Sequence, residues 1–326
     1  MFLGDNSPRP VPAQRHCISL DELLSLRHWP PARSPSRQRM AIREGHHLSQ
    51  IRGRGMEYDD VREYQPGDDI RHLDWRLMAR TGEAHTKLYH EERERPVFVL
   101  ADLRPPMFFA TQGHYKSVLA SYAAAMTIWT TLANGDRVGG QILGAEKEQL
   151  FRPSSNRQQV MAMMAALERS SARVADSELN RNKPDSSVPS PSLADVLAGA
   201  ERYISSGTLL YIFSDFHDVD EAVQQHLMRL AQRCELKLVL ISDPLEQQLP
   251  QGKRYRFFGS GRELLVDADK QQQLRYQQQF QARIELLERL RNLRGVEFAH
   301  WQTHQHPLFR SPVVQALRSA PVREVI

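Results

Sequence analysis

The sequence predicts an α/β protein built on a doubly wound, mostly parallel sheet with one antiparallel strand, preceded by a small irregular region that contains β-structure. Three observations predict it. From residue 96 onward, short apolar runs rich in β-formers alternate with stretches of helical periodicity, the pattern of a parallel sheet covered by helices on both faces. The runs Arg137–Leu143 and Glu148–Phe151 are separated only by a turn at Gly144, too short for a crossover, so they pair antiparallel. Two of the runs, Val97–Asp102 and Thr208–Phe213, lead into Asp102 and Asp215, placing carboxylates at the carboxyl ends of strands.

In chain order, residues 1–40 read as a flexible, basic and proline-rich leader, with prolines at 8, 10, 12, 30, 31 and 35. Within it Leu20, Leu23, Leu24 and Leu26 form a short amphipathic helix, capped by Ser19 with Glu22 three residues on. Residues 41–95 are dense in charge and carry Tyr58, Tyr64, Trp75 and Tyr89 as buried-capable aromatics. Their apolar content is too low to close a separate core, so they are expected to pack on the main domain, residues 96–302.

In the main domain, residues 114–134 read as a helix stopped by Asn134-Gly135. Residues 156–169 form another, with Val160, Met163, Met164 and Leu167 at helical spacing. The serine- and proline-rich segment 171–191 reads as a mobile loop. Helices over 193–205, 219–233 and the glutamine-rich 268–293 alternate with strands at 208–213, 235–242 and 296–301, and short strands fall at 254–258 and 264–266. Residues 303–326 form a C-terminal tail with a short helix at 307–318.

Composition narrows the function classes. The 326 residues are 40% hydrophobic and 25% charged, enough for a sizeable core, and a net charge of +4 does not by itself call for nucleic acid. Cys17 and Cys234 are too few for a disulfide framework and stand in no metal-like spacing, which fits a reducing compartment. The polar start, Met1 to Ala13, lacks the apolar run of a secretory signal. The longest apolar stretch, Val118–Ala133, is broken by Ser121, Thr127, Thr130 and Thr131, so it reads as a buried helix rather than a membrane span. The expectation is a cytoplasmic protein without a transmembrane segment, meeting a membrane only through partners.

The most distinctive block runs from Arg52 to Glu92. Gly53, Gly55, Glu57, Arg62, Tyr64, Gly67, Asp68, Asp69, Arg71, Asp74, Trp75, Ala79, Arg80, Lys87 and Glu91 match the signature of the domain of unknown function 58 family, which the chain resembles. The resemblance implies a bacterial-type, von Willebrand factor A-like α/β domain. It also implies association with MoxR-type AAA+ ATPases and other von Willebrand A proteins, in a chaperone-like or complex-assembly system. The expected function is therefore that of a non-catalytic interaction or adaptor protein.

Read from its residues, the block sets Asp68, Asp69 and Asp74 among Arg62, Arg71, Arg76 and Arg80. Carboxylates beside guanidiniums form bidentate ion pairs and keep low pKa values, which suits a fastening network better than general-acid work. The rival reading is a metal-dependent hydrolase using the carboxylates of residues 57–74. A third reading is an anionic-surface binder, membrane or nucleic acid, through Arg27, Arg33, Arg37, Arg39, Arg43, Arg52 and Arg54, opposed only by Glu44. With no aromatic series interleaved, nucleic acid is not expected. The clusters His46-His47 and His300, His304, His306 lack a nearby Cys or carboxylate and read as surface or capping residues.

A second constellation joins Asp102, Ser192 and Asp215. With strand order 3-2-1-4-5-6, Asp102 and Asp215 end neighbouring strands at the topological switch point, where ligands of open α/β sheets collect. Two carboxylates and a hydroxyl suit a hard divalent cation such as magnesium. In the von Willebrand A resemblance this place is a metal-ion-dependent adhesion site, whose first motif is Asp-x-Ser-x-Ser. Here it reads Asp102-Leu103-Arg104-Pro105-Pro106, with Ser192 where a Thr is expected and Asp215 as the later Asp. Three of five ligands remain, and Arg104 replaces one serine. The site is therefore expected to be degenerate and without a cofactor, with Arg104 paired to Asp102 or Asp215.

Overall fold

The computed structural model describes residues 17–28, 56–65, 69–91, 95–144, 148–179, 191–247, 254–259, 262–267 and 270–304. In chain order its helices are α1 (Leu20–Ser25), α2 (Trp75–Thr81), α3 (Lys116–Ala133), α4 (Arg157–Leu179), α5 (Leu193–Ala200), α6 (Glu221–Ala231), α7 (Pro244–Gln247) and α8 (Lys270–Arg291). The strands are β1 (Met56–Glu63), β2 (His85–Glu91), β3 (Val97–Asp102), β4 (Val138–Leu143), β5 (Glu148–Ser154), β6 (Leu209–Ser214), β7 (Glu235–Ser242), β8 (Arg254–Gly259), β9 (Arg262–Asp267) and β10 (Val296–Gln302). They fall into two units, one of residues 36–94 and the other of residues 1–35 with 95–326.

The larger unit is built on a six-stranded sheet of order β10-β7-β6-β3-β4-β5. Every pairing is parallel except that of β4 with β5. This is the order expected from the sequence, with the antiparallel strand where the short link required it. β3, β4 and β6 are buried along their whole length, which is why β3 and β6 read as nearly continuous apolar runs rather than alternating ones. Along β3 the side chains divide by strand period. Val97, Val99 and Ala101 enter a core shared with α1, α3 and α4, whereas Phe98 and Leu100 enter one shared with α5, α6 and α8. The two cores are the two faces of a doubly wound sheet, as expected.

α3 is apolar on all sides because nearly all of it is buried. Its hydroxyls close on the helix itself: Ser121, Thr127 and Thr131 donate to the carbonyls of Ser117, Ala123 and Thr127. Among the described residues no helix is long and apolar enough to cross a membrane.

Two sequence expectations are corrected. The helix expected over 156–169 continues as α4 to Leu179, so residues 171–179 are helical rather than part of a loop, and residues 180–190 lie outside the described residues. Ala172, Arg173, Ala175 and Glu178 are helix formers and no proline intervenes before Pro184, so polarity was a poor guide to where the helix stops. The second correction concerns residues 17–28, expected as part of a flexible leader. α1 has its capping box, Ser19 and Glu22 each accepting from the other's backbone N–H at 3.3 Å. Ile18, Leu23 and Leu26 are buried in the core beneath it. Trp129 Nε1 donates to the Leu23 carbonyl at 2.9 Å, and Glu168 accepts from the Leu20 N–H at 2.8 Å. The remainder of the leader and the tail helix expected at 307–318 lie outside the described residues.

The smaller unit contains the antiparallel pair β1–β2, with a register irregularity between Tyr58 and Asp60, and α2 in the connection between the strands. It is the small irregular β-containing region that the sequence implied.

Candidate functional site

Three neighbouring strands, β3, β6 and β7, run into Asp102, Asp215 and Asp243 at the carboxyl edge of the sheet. All three residues are buried. The chain leaves β3 toward β4 and β5 on one side, while β6, β7 and β10 extend the sheet on the other, so the carboxylates sit at the switch point.

Arg104, 2% exposed, answers the first of them. Its Nε and Nη2 donate to the two oxygens of Asp102 at 2.9 and 2.7 Å. Nη1 donates to Asp218 Oδ2 at 2.6 Å and to the Pro191 carbonyl at 3.0 Å, and Nη2 also donates to Asp218 Oδ1 at 3.0 Å. The five donors of the guanidinium are all engaged. Asp102 further accepts from the Arg104 N–H and, at 2.7 Å, from the Ser214 hydroxyl. Asp218 accepts from the Leu193 N–H at 2.9 Å.

Lys116, wholly buried at the start of α3, answers the second. Its Nζ donates to Asp215 at 2.8 Å and to Glu246 at 2.6 Å. The other Asp215 oxygen accepts from the His217 N–H and lies 2.9 Å from His217 Nδ1. The third carboxylate, Asp243, accepts from the N–H and hydroxyl of Thr111, the Leu245 N–H and the Thr303 hydroxyl. Glu246 accepts from the Asp243 N–H, which links the second group to the third.

Burial opposes each of these charges, and their partners outweigh it. Desolvation alone would lower the pKa values of Arg104 and Lys116, yet Asp102 with Asp218, and Asp215 with Glu246, hold both above their ordinary values. Desolvation would raise Asp215, but Lys116 and His217 hold it well below the usual carboxylate range. Asp218 is lowered in the same way by Arg104, and Asp243 by its threonine hydrogen bonds. His217 is raised: burial opposes its charge, but Asp215 and Asp218 more than compensate.

These carboxylates are therefore engaged acceptors, each facing an internal cation or a set of N–H and O–H donors. That arrangement does not fit a divalent cation, because the oxygens that would ligate it already surround a guanidinium or an ammonium. Among the described residues, no group of three or more His, Cys, Asp or Glu is arranged to hold a metal.

The residues singled out in the sequence fare unequally. Asp102 and Arg104 pair as expected. Asp215 takes Lys116 as its cation, while Arg104 spans Asp102 and Asp218 instead. Ser192 turns away: its hydroxyl accepts from the Asp195 N–H and donates to the Asp195 carboxylate, capping α5. The first turn of α5 needs an acceptor for its N–H groups, and Ser192 meets that local demand. Its neighbours, the Pro191 carbonyl and the Leu193 N–H, join the cluster in its place.

Lys116, Ser214, His217, Asp218, Asp243 and Glu246 escaped the sequence reading. Asp243 carried a usable signal, since β7 also runs into an aspartate. Lys116, a lone cation at the head of an apolar helix, carried another.

In the signature block, Asp69 accepts from the Arg71 N–H, and Asp74 caps α2 by accepting from the N–H groups of Arg76 and Leu77. Gly82, at φ 81°, closes the helix. These two carboxylates serve as backbone caps. Arg62 donates to the Glu63 carbonyl, and Tyr64 is half-buried. Trp75, expected as a buried-capable aromatic, is 60% exposed beside exposed Ile70, Arg71, Met78 and Arg80. Glu57 and Lys87 lie on β1 and β2. Gly53, Gly55, Gly67, Asp68 and the arginines from Arg33 to Arg54 lie outside the described residues. Elsewhere, the Ser242 hydroxyl lies 2.7 Å from His300 Nε2, and burial lowers the His300 pKa.

The profile of a protein family described as "Protein of unknown function DUF58" matches residues 60–286. Among curated proteins, the uncharacterized proteins Rv1480 of Mycobacterium tuberculosis and Mb1516 of Mycobacterium bovis are each 36% identical over 101 residues, which is 31% of this chain and 32% of theirs. The chain thus matches about a third of the length of these relatives. Similar solved structures include conserved hypothetical protein BatB from Bacteroides thetaiotaomicron, at 11% identity and TM-score 0.36, covering 69% of this chain and 100% of that one. A von Willebrand factor type A protein from Catenulispora acidiphila has 9% identity and TM-score 0.35, covering 72% of this chain and 42% of that one.

Proposed function

The chain belongs to the DUF58 family, and from that membership we propose that it is a non-catalytic protein-interaction module whose docking surface is the carboxyl edge of the sheet. The observation that carries this reading is the saturation of that edge. Asp102, Asp215, Asp218 and Asp243 are held as engaged acceptors by Arg104, Lys116 and backbone or hydroxyl donors, an arrangement that braces strand ends and loops rather than moving protons. The alternative, a hydrolase using the carboxylates of residues 57–74, has less behind it, because Asp69 and Asp74 serve as helix-turn caps. The family resemblance adds the partners: a MoxR-type AAA+ ATPase and von Willebrand A-domain proteins, met in the cytoplasm in a chaperone-like or assembly role.

The test mixes the full chain with a purified MoxR-type ATPase from the same organism, with ATP, with ADP and without nucleotide, followed by sedimentation velocity. A nucleotide-dependent complex is expected. Its absence in all three conditions refutes the partner. Hydrolysis of a phosphate or carboxylic ester that disappears in Asp74→Asn refutes the non-catalytic reading.

A further inference from the structure

At the switch point, oxygens from three segments face a single buried group. Both oxygens of Asp102, both of Asp218 and the Pro191 carbonyl lie 2.6–3.0 Å from nitrogens of Arg104. The Ser214 hydroxyl stands behind Asp102, donating to it. Two carboxylates this close repel unless positive charge stands between them. An all-oxygen set of two carboxylates, a carbonyl and a hydroxyl is the donor chemistry of a hard divalent cation, but the positive charge here belongs to a side chain.

We propose that Arg104 is a built-in replacement for a divalent cation, and that removing its side chain opens a calcium- or manganese-binding site formed by Asp102, Asp218, Ser214 and the Pro191 carbonyl. The same logic extends to Lys116, which stands between Asp215 and Glu246. Calcium suits the opened site because it accepts six to eight oxygens at roughly 2.3–2.6 Å in flexible geometry, whereas magnesium demands a tight octahedron. Asp218 lies between β6 and α6 and its side chain is 24% exposed, so it can draw inward and water can complete the shell from that side. In the native chain the guanidinium cannot leave, so the positive charge facing Asp102 and Asp218 does not depend on the metal supply. The inference concerns the chain alone and stands whether or not a partner docks at this edge.

The test uses the full-length chain, with thermal unfolding in EDTA and in millimolar calcium, and manganese binding read by electron paramagnetic resonance. Native protein is expected to melt at the same temperature in both conditions and to leave manganese free. Arg104→Ser is expected to melt lower than native protein in EDTA, to recover a large part of the loss in calcium, and to bind one manganese per chain. Adding Asp218→Asn should abolish both responses. Manganese bound by native protein and lost in Asp102→Asn overturns the proposal, as does a folded Arg104→Ser that ignores cations. If Arg104→Ser is unfolded in both conditions, Arg104→Lys decides. A folded, cation-indifferent Arg104→Lys supports replacement by charge, and an unfolded one shows that the fork geometry is what the edge requires and overturns it.

Discussion

Lys116→Met is the sharpest perturbation of the strand-end network. The substitution keeps most of the side-chain volume and removes only the ammonium. Lys116 and Asp215 are each 1% exposed in their side chains, so Asp215 would be left buried with His217 as its remaining partner of opposite charge, and Glu246 would lose its ammonium partner while keeping the Asp243 N–H. Removing one member of a buried ion pair costs about 3–5 kcal/mol, because the other charge stays desolvated and uncompensated. In a domain of roughly 150–250 residues each kcal/mol moves the midpoint by about 2–4 °C, so the melting temperature should fall by on the order of 10 °C. Asp215→Asn should cost less, since Lys116 keeps Glu246. The double variant should cost less than the sum of the two, with a coupling of about 0.5–3 kcal/mol, because it buries no unmatched charge. Urea unfolding of the four proteins at neutral pH measures the cycle. A Lys116→Met protein within about 1 kcal/mol of native stability, with additive single effects, would refute the reasoning.

Three further outcomes follow from the geometry. His217 is raised above its ordinary value by Asp215 and Asp218 against the opposing effect of burial, so the stability it contributes is fully present below about pH 6.5 and is lost as pH rises through the raised value. His217→Gln should flatten that part of the pH–stability curve, and an unchanged curve shows that His217 carries no linkage. Leu23→Ala should cost about 2–5 kcal/mol, the usual range for a fully buried leucine, and a loss under about 0.5 kcal/mol in urea unfolding would mean that α1 is not part of the core. Trp75→Ala should leave stability within about 0.5 kcal/mol, because the ring is 60% exposed; a melting point lowered by 10 °C would show that Trp75 is a core residue after all.

The sequence by itself determined the sheet and its coverings. Runs such as VFVLAD and LLYIFS, short and rich in β-formers, suit strands covered on both faces, and the link between β4 and β5 leaves room only for antiparallel pairing. The Ser19–Glu22 capping box was equally legible, because a cap is written in four consecutive residues. Tertiary structure alone decided how charge is shared at the carboxyl edge. Arg104 meets Asp218 across 114 positions and Lys116 meets Asp215 across 99, and no local pattern states which guanidinium or ammonium will face which carboxylate. Ser192 shows the same division: the family resemblance put it where a ligand is expected, but the nearest unsatisfied N–H of its own helix claimed the hydroxyl. Periodicity and capping are short-range demands met by adjacent residues, whereas a buried ion must find its partner among whatever strand ends the completed sheet brings together.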